Sequence, residues 1–240
     1  MRISDRNKFA PRASISIKRF LLGLNRDLDQ LKHNISINSD LGFSHSIDTY
    51  HTELTRLELT ILYLEDRRFF SHSGIELRAL ARGAKRFIKK GAIGGISTID
   101  QQIVRISTRR SDRTFSRKLK ELILAYLINY HKSKREILSY YIHNAYLGHH
   151  MEGCEIASQK CFLLPATHLD SHQSSFIACL FPLPFPKSVW EEYYNSPHYP
   201  SRDPDLILDI GQKIAPRWAG RVRFRMKVAA KAQAFKPKSL

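Results

Sequence analysis

Three short-range pairs constrain this 240-residue chain more than anything else in it: Ser73 with Glu76, Ser133 with Glu136, and Asp170 with Gln173. A Ser or Asp three residues ahead of Glu or Gln lets each side chain satisfy the other's orphan backbone amide, which marks a helix start. The first pair predicts a helix to about Lys90, stopped by Gly91. The second predicts one through Ile137, Tyr141 and Asn144 to Gly148, and the third one ending at Pro182. Apolar spacing adds more helices. Ile17, Leu21, Leu24, Leu28 and Leu31 alternate four and three apart, with Lys18, Arg19, Arg26 and Asp27 off the stripe. This helix either docks on the protein's own core or lies on an anionic membrane surface. Leu54, Leu57, Ile61 and Leu64 lead a second helix into Glu65. Ser97 is read as the N-cap of a helix carrying Ile99, Ile103 and Ile106, and Asp203 with Pro204 as the start of one reaching about Ile214. Residues 34–46 and the proline-rich 182–204 read as loops, and only RVRFRMKV (221–228) alternates like a strand. The fold class is mainly α, with few or no strands.

The formal charge of +17 and pI near 10.0 call for an anionic partner: nucleic acid, an acidic membrane surface or a phosphorylated substrate. From Ile210 to Leu240 there are nine Lys or Arg and no acids, which reads as a basic tail. Cys154, Cys161 and Cys179 form no CxxC pair, so buried thiols are expected rather than a disulfide framework or zinc site. No apolar run approaches the ~20 residues of a membrane span, and FLLGL (20–24) is too short for a signal-peptide core. The chain as given is therefore expected to carry neither a transmembrane anchor nor an export signal.

Chemistry concentrates between Glu65 and Glu121. EDRRFFSHSGIE opens the stretch, GGISTIDQQIVR lies inside it and RTFSRKLKE closes it. Acids, amides, hydroxyls and guanidiniums at set places among apolar residues suit a site that handles a proton and an anionic leaving group. Thr98, Gln101 and Arg105 share a helix face, as do Arg117 and Glu121. The glycines at 91, 94 and 95 precede a helix start whose amides and dipole favour an anion.

Four blocks in order, EDRRFFSHSG (65–74), GISTIDQQIVR (95–105), RTFSRKLKE (113–121) and KREILSYYIHNAYLG (134–148), resemble the peptidoglycan glycosyltransferases, glycosyltransferase family 51. The resemblance divides the chain into a basic arm and amphipathic helix (1–44), the family-like domain (45–215) and the basic tail (216–240). It implies a lysozyme-like helical fold that polymerises glycan strands from lipid II, releasing undecaprenyl pyrophosphate. It implies Glu65 as general base toward the acceptor's 4-hydroxyl, and Glu121 on the donor side. Arg105, where the family usually has Lys, would join Arg113, Arg117 and Lys118 in contacting the pyrophosphate or holding Glu121. Ser97, Thr98, Gln101 and Gln102 would shape the sugar sites, and Lys134 and Tyr141 would support the cleft. A divalent cation, Mg or Mn, is the cofactor the resemblance allows, with Glu121 as its ligand, and no organic cofactor is expected. Implied partners are lipid II, the growing glycan strand, the membrane surface and cell-wall assembly proteins, not nucleic acid. The implied location is the outer, periplasmic face of the cytoplasmic membrane, with the cytoplasm as the alternative.

The chain departs from the family pattern at Ile96, Ser139, His143 and Gln173, and the family's N-terminal membrane helix is not expected within the sequence as given. These departures keep a second reading open, a catalytically weakened relative that binds lipid-linked precursors or assembly partners. A third, a binder of nucleic acid or anionic membrane, rests on charge alone.

Overall fold

The structure, a computed structural model, describes residues 17–40, 53–76, 78, 97–109 and 114–237. Among these residues ten α-helices and a two-stranded sheet carry the fold. They are α1 (Ile17–Asp40), α2 (Arg56–Glu65), α3 (Ile99–Thr108), α4 (Phe115–Ile128) and α5 (Lys134–Asn144), then β1 (Tyr146–Gly148) antiparallel to β2 (Met151–Glu152). There follow α6 (Cys154–Phe162), α7 (Ser171–Cys179), α8 (Lys187–Tyr194), α9 (Pro204–Ile214) and α10 (Pro216–Ala229). The expected mainly α architecture is what forms. The expected helix toward Lys90, the glycine segment with Ile96, and Arg113 lie outside the described residues.

The helices fall into two packed groups. One joins α1, α3, α4 and α5; the other joins α2, α7, α9 and α10, with α8 against α9. Helix α7 is the axis of the second group, buried without a break from Gln173 to Cys179. Two of its three polar side chains are bonded there, Gln173 Nε2 donating to Arg202 O at 2.9 Å and Ser175 Oγ to Ser171 O at 2.7 Å, while the Ser174 hydroxyl has no partner among the described residues. Asp170 and Gln173 form the expected capping box, as do Ser133 and Glu136. A further box, Thr55 with Glu58, starts α2, and the last residue of this helix, Glu65, meets Gln102 of α3.

Several expectations change. Helix α1 continues past Leu31 to Asp40, because Ile35 and Asn38 extend the buried stripe by four and three. It docks on the core through Leu24, Leu31 and Ile35, each such burial contributing about 1.5–3 kcal/mol. Asp27 is also buried, with Lys120 Nζ 3.8 Å from its carboxylate. The N-cap of α3 is Thr98 rather than Ser97. Helix α5 stops at Asn144, and β1 follows, with Gly148 pressed so closely on Phe185 that a Cβ there would lie 2.7 Å from the Phe185 Cβ. The loop read over 182–204 contains α8.

The largest change is at 216–229, read as tail with a strand-like run and found as α10. Ala219, Val222, Met226 and Ala229 recur three, four and three apart and are buried. The alternation of RVRFRMKV arises because Phe224 and Val228 sit on an adjoining face; Phe224 is 71% exposed.

Candidate active site

Glu65 ends α2, where capping and packing fix its backbone. Its side chain is 12% exposed. Oε2 accepts from Gln102 Nε2 at 3.2 Å, and Oε1 accepts from Arg225 Nη2. The Gln102 amide is oriented by the buried Tyr141 hydroxyl, which donates to Gln102 Oε1 at 2.8 Å. Burial raises the Glu65 pKa above the ordinary carboxylate value, with Arg225 and Gln102 pulling it part of the way back.

Glu121, on the inner face of α4, is 2% exposed and surrounded by cations. Lys118 Nζ donates to Oε1 at 2.6 Å, Arg117 Nη1 donates to Oε2 at 3.0 Å, and Arg105 Nε lies 3.8 Å from Oε2. Lys118 also donates to Gln101 Oε1 at 2.8 Å and Ser97 Oγ at 3.3 Å. Consecutive residues of α3 therefore serve the two carboxylates: Gln101 through Lys118 to Glu121, and Gln102 to Glu65. The Gln101 Nε2 is buried and has no hydrogen-bond partner among the described residues.

Both oxygens of Glu121 are taken by cations, so this donor set does not suit a divalent metal ion. Among the described residues one buried group has metal-like composition, Asp66, His72 and Asp100. Its oxygens are engaged within the protein. Asp66 Oδ2 accepts from Ile99 N at 3.2 Å, and Asp100 accepts from Lys134 Nζ at 2.9 and 3.0 Å and from Asn129 Nδ2 at 2.9 Å. His72 Nδ1 accepts from Gly74 N at 3.2 Å, which leaves Nε2 to donate to Asp66 at 3.0 Å. The group pins the turn after Glu65 to the start of α3. Thr98 strengthens the pin by donating to Gly74 O at 2.7 Å. Gly74, at φ +84, rests on α4 so tightly that a Cβ would lie 1.9 Å from Ala125 O.

The sequence-derived residues thus fall into three sets. Glu65 with Gln102, and Glu121 with Ser97, Gln101, Arg105, Arg117 and Lys118, make the two halves of the site. Thr98 is buried in a capping role, and Lys134 is drawn into the ion pair with Asp100 and over the Phe69 ring at 4.3 Å, away from the Glu121 cluster. Arg113 lies outside the described residues. Sequence reasoning missed Arg225, whose partner lies 160 positions away; the burial spacing of α10 was its only local signal.

Fold and site define a helical protein with one desolvated carboxylate beside a second that organises cations. A family model described as Transglycosylase matches residues 45–202. A biosynthetic peptidoglycan transglycosylase of Janthinobacterium sp. (strain Marseille) is 29% identical over 74% of this chain and 78% of its own length. One from Alcanivorax borkumensis is 33% identical over 53% of each. Penicillin-binding protein 1A of Streptococcus oralis is 34% identical over 54% of this chain, which is 21% of that protein. The chain belongs to the transglycosylase family, the peptidoglycan glycosyltransferases of glycosyltransferase family 51. Helix α10, with Arg225, lies beyond the matched residues.

Proposed function

We propose that the chain polymerises peptidoglycan glycan strands from lipid II by a single inverting displacement. Glu65 takes the proton of the acceptor's 4-hydroxyl as that oxygen bonds to the donor's anomeric carbon. The bond from that carbon to the phosphate oxygen breaks, and undecaprenyl pyrophosphate departs with the electron pair. The observation that carries this reading is the pairing of unlike surroundings across two adjacent glutamines. A base must be partly desolvated to hold a proton near neutral pH, and the raised pKa of Glu65 meets that need. A departing diphosphate must meet fixed positive charge, and Arg105, Arg117 and Lys118 are held together around Glu121. The Gln101 Nε2, without a partner among the described residues, is a donor suited to a sugar or phosphate oxygen. No covalent carboxylate nucleophile is needed. The working place of this reaction is the surface of a membrane, since its donor is lipid-linked; among the described residues no helix is long and apolar enough to cross one.

The test is glycan synthesis from lipid II by the full chain and by Glu65→Gln. The expected outcome is a loss of roughly 10²- to 10⁴-fold in rate, the usual contribution of a general base. Wild-type binding of lipid II without polymer would instead support the weakened relative.

A further inference from the structure

An open groove of about 650 Å³ runs between the end of α2 and the outward face of α10, and of its lining the reaction above uses only Arg225, at the edge next to Glu65. Helix α10 carries two stripes. Ala219, Val222, Met226 and Ala229 hold it to the core, while Arg217, Arg221, Phe224 and Val228, spaced four, three and four apart, line the groove. The rest of the floor is apolar, with Leu64, Pro182 and Leu183. Among the described lining residues are four arginines, Arg67, Arg217, Arg221 and Arg225, and no carboxylate. The Phe224 ring, 71% exposed, stands in water on this rim. The Arg225 Nε–H is buried with no hydrogen-bond partner among the described residues.

We propose that this groove docks an anionic phospholipid of a membrane surface, its phosphate received by the arginines and its upper acyl methylenes lying on the apolar floor beside Phe224. Charge complementarity selects the head. Arginine forks match phosphate oxygens, and uncompensated guanidiniums gather anions. The floor selects an amphiphile over a free anion, because apolar area beside the cations contributes only when methylenes cover it. A nucleic acid would use the charge and leave the floor bare, and of the two rings in the described lining only Phe224 stands open to stacking, since the Arg67 guanidinium lies over Tyr63 at 3.9 Å. Arg225 is shared with the site proposed for Glu65, whereas Arg217 and Arg221 touch neither carboxylate, and the variants below are placed there.

Flotation of the full chain with two kinds of vesicle tests it: phosphatidylcholine alone, and phosphatidylcholine with phosphatidylglycerol in equal parts. Wild type is expected to float with the anionic vesicles only. Arg217→Glu with Arg221→Glu, both exposed, should weaken that binding by about tenfold or more. Lys227→Glu with Lys231→Glu makes the same change in charge at exposed sites off the groove and should weaken it far less. Gly220→Glu places a carboxylate in the groove where a Cβ meets nothing within 4 Å, so the fold is kept and binding should again fall. Phe224→Ser should weaken binding even in salt that screens charge. The proposal is overturned if the two double variants lose binding equally, if Gly220→Glu binds as wild type does, or if wild type floats with both vesicle types alike. It is likewise overturned if inorganic phosphate displaces the vesicles, or if a short DNA duplex binds through Arg217 and Arg221 while vesicles do not.

Discussion

Glu65 and Glu121 are both withdrawn from water, yet their surroundings work in opposite senses. Around Glu65 burial outweighs the pull of Arg225, the Gln102 amide and the more distant Arg105, so the carboxyl is pushed toward its protonated form. Around Glu121 three cationic side chains converge within 4 Å. The first arrangement makes a group ready to accept a proton. The second makes a carboxylate that holds three cationic side chains together, which on the proposed reading serves the leaving diphosphate. Burial alone does not set the chemistry of a carboxylate; the neighbours decide.

The contrast is sharpest under Glu121→Gln. Removing this charge leaves Lys118 and Arg117 to repel each other, and we expect glycan synthesis to fall about 10²-fold, with a lower melting temperature. An unchanged rate would break the division of roles. A smaller effect is expected from Arg225→Gln. Arg225 lowers the Glu65 pKa, so its loss lets burial raise it further, and the acidic limb of the pH profile of kcat/KM should move to higher pH. Arg225→Lys should restore most of the original profile, a rescue that purely structural damage would not show. Tyr141→Phe removes the bond that orients Gln102, and a loss of about fivefold is expected, in line with roughly 1 kcal/mol for one hydrogen bond.

The smallest predicted effect is on stability. Because folding raises the Glu65 pKa, its favourable contribution is present at low pH and fades as pH rises through the folded value. Glu65→Gln should therefore melt slightly higher than wild type at neutral pH, opposite in sign to Glu121→Gln. A lower melting temperature for Glu65→Gln would show that the Arg225 pair outweighs desolvation.

Much of this was legible in the chain. Capping boxes at Ser133 and Asp170 and the Asp203–Pro204 start all mark helices where local backbone chemistry predicts them. Glu65 and Glu121 stand out through the EDRRFFSHSG and RTFSRKLKE blocks that hold them, since taken alone each would read as a structural or surface carboxylate. Illegible parts had two causes. Polar residues hid burial: Asp27, Asn38 and Gln101 look solvent-facing until a distant helix covers them. A short period also admits two interpretations, since Val222 and Met226 satisfy both a strand-like alternation and a helical stripe. The Arg225 contact belongs to neither kind of local rule, because nothing near residue 225 announces residue 65.

Gly74 links the two halves of the site mechanically. Its backbone is seated on the Ala125 carbonyl, one helical turn beyond Glu121, while the turn it belongs to is tied through Asp66 and His72 to the residue following Glu65. The acids consequently ride on a common chassis at a set gauge. Any jaw-like closing over a bound sugar would have to be made by other parts of the molecule, with the spacing of this pair as its fixed anvil.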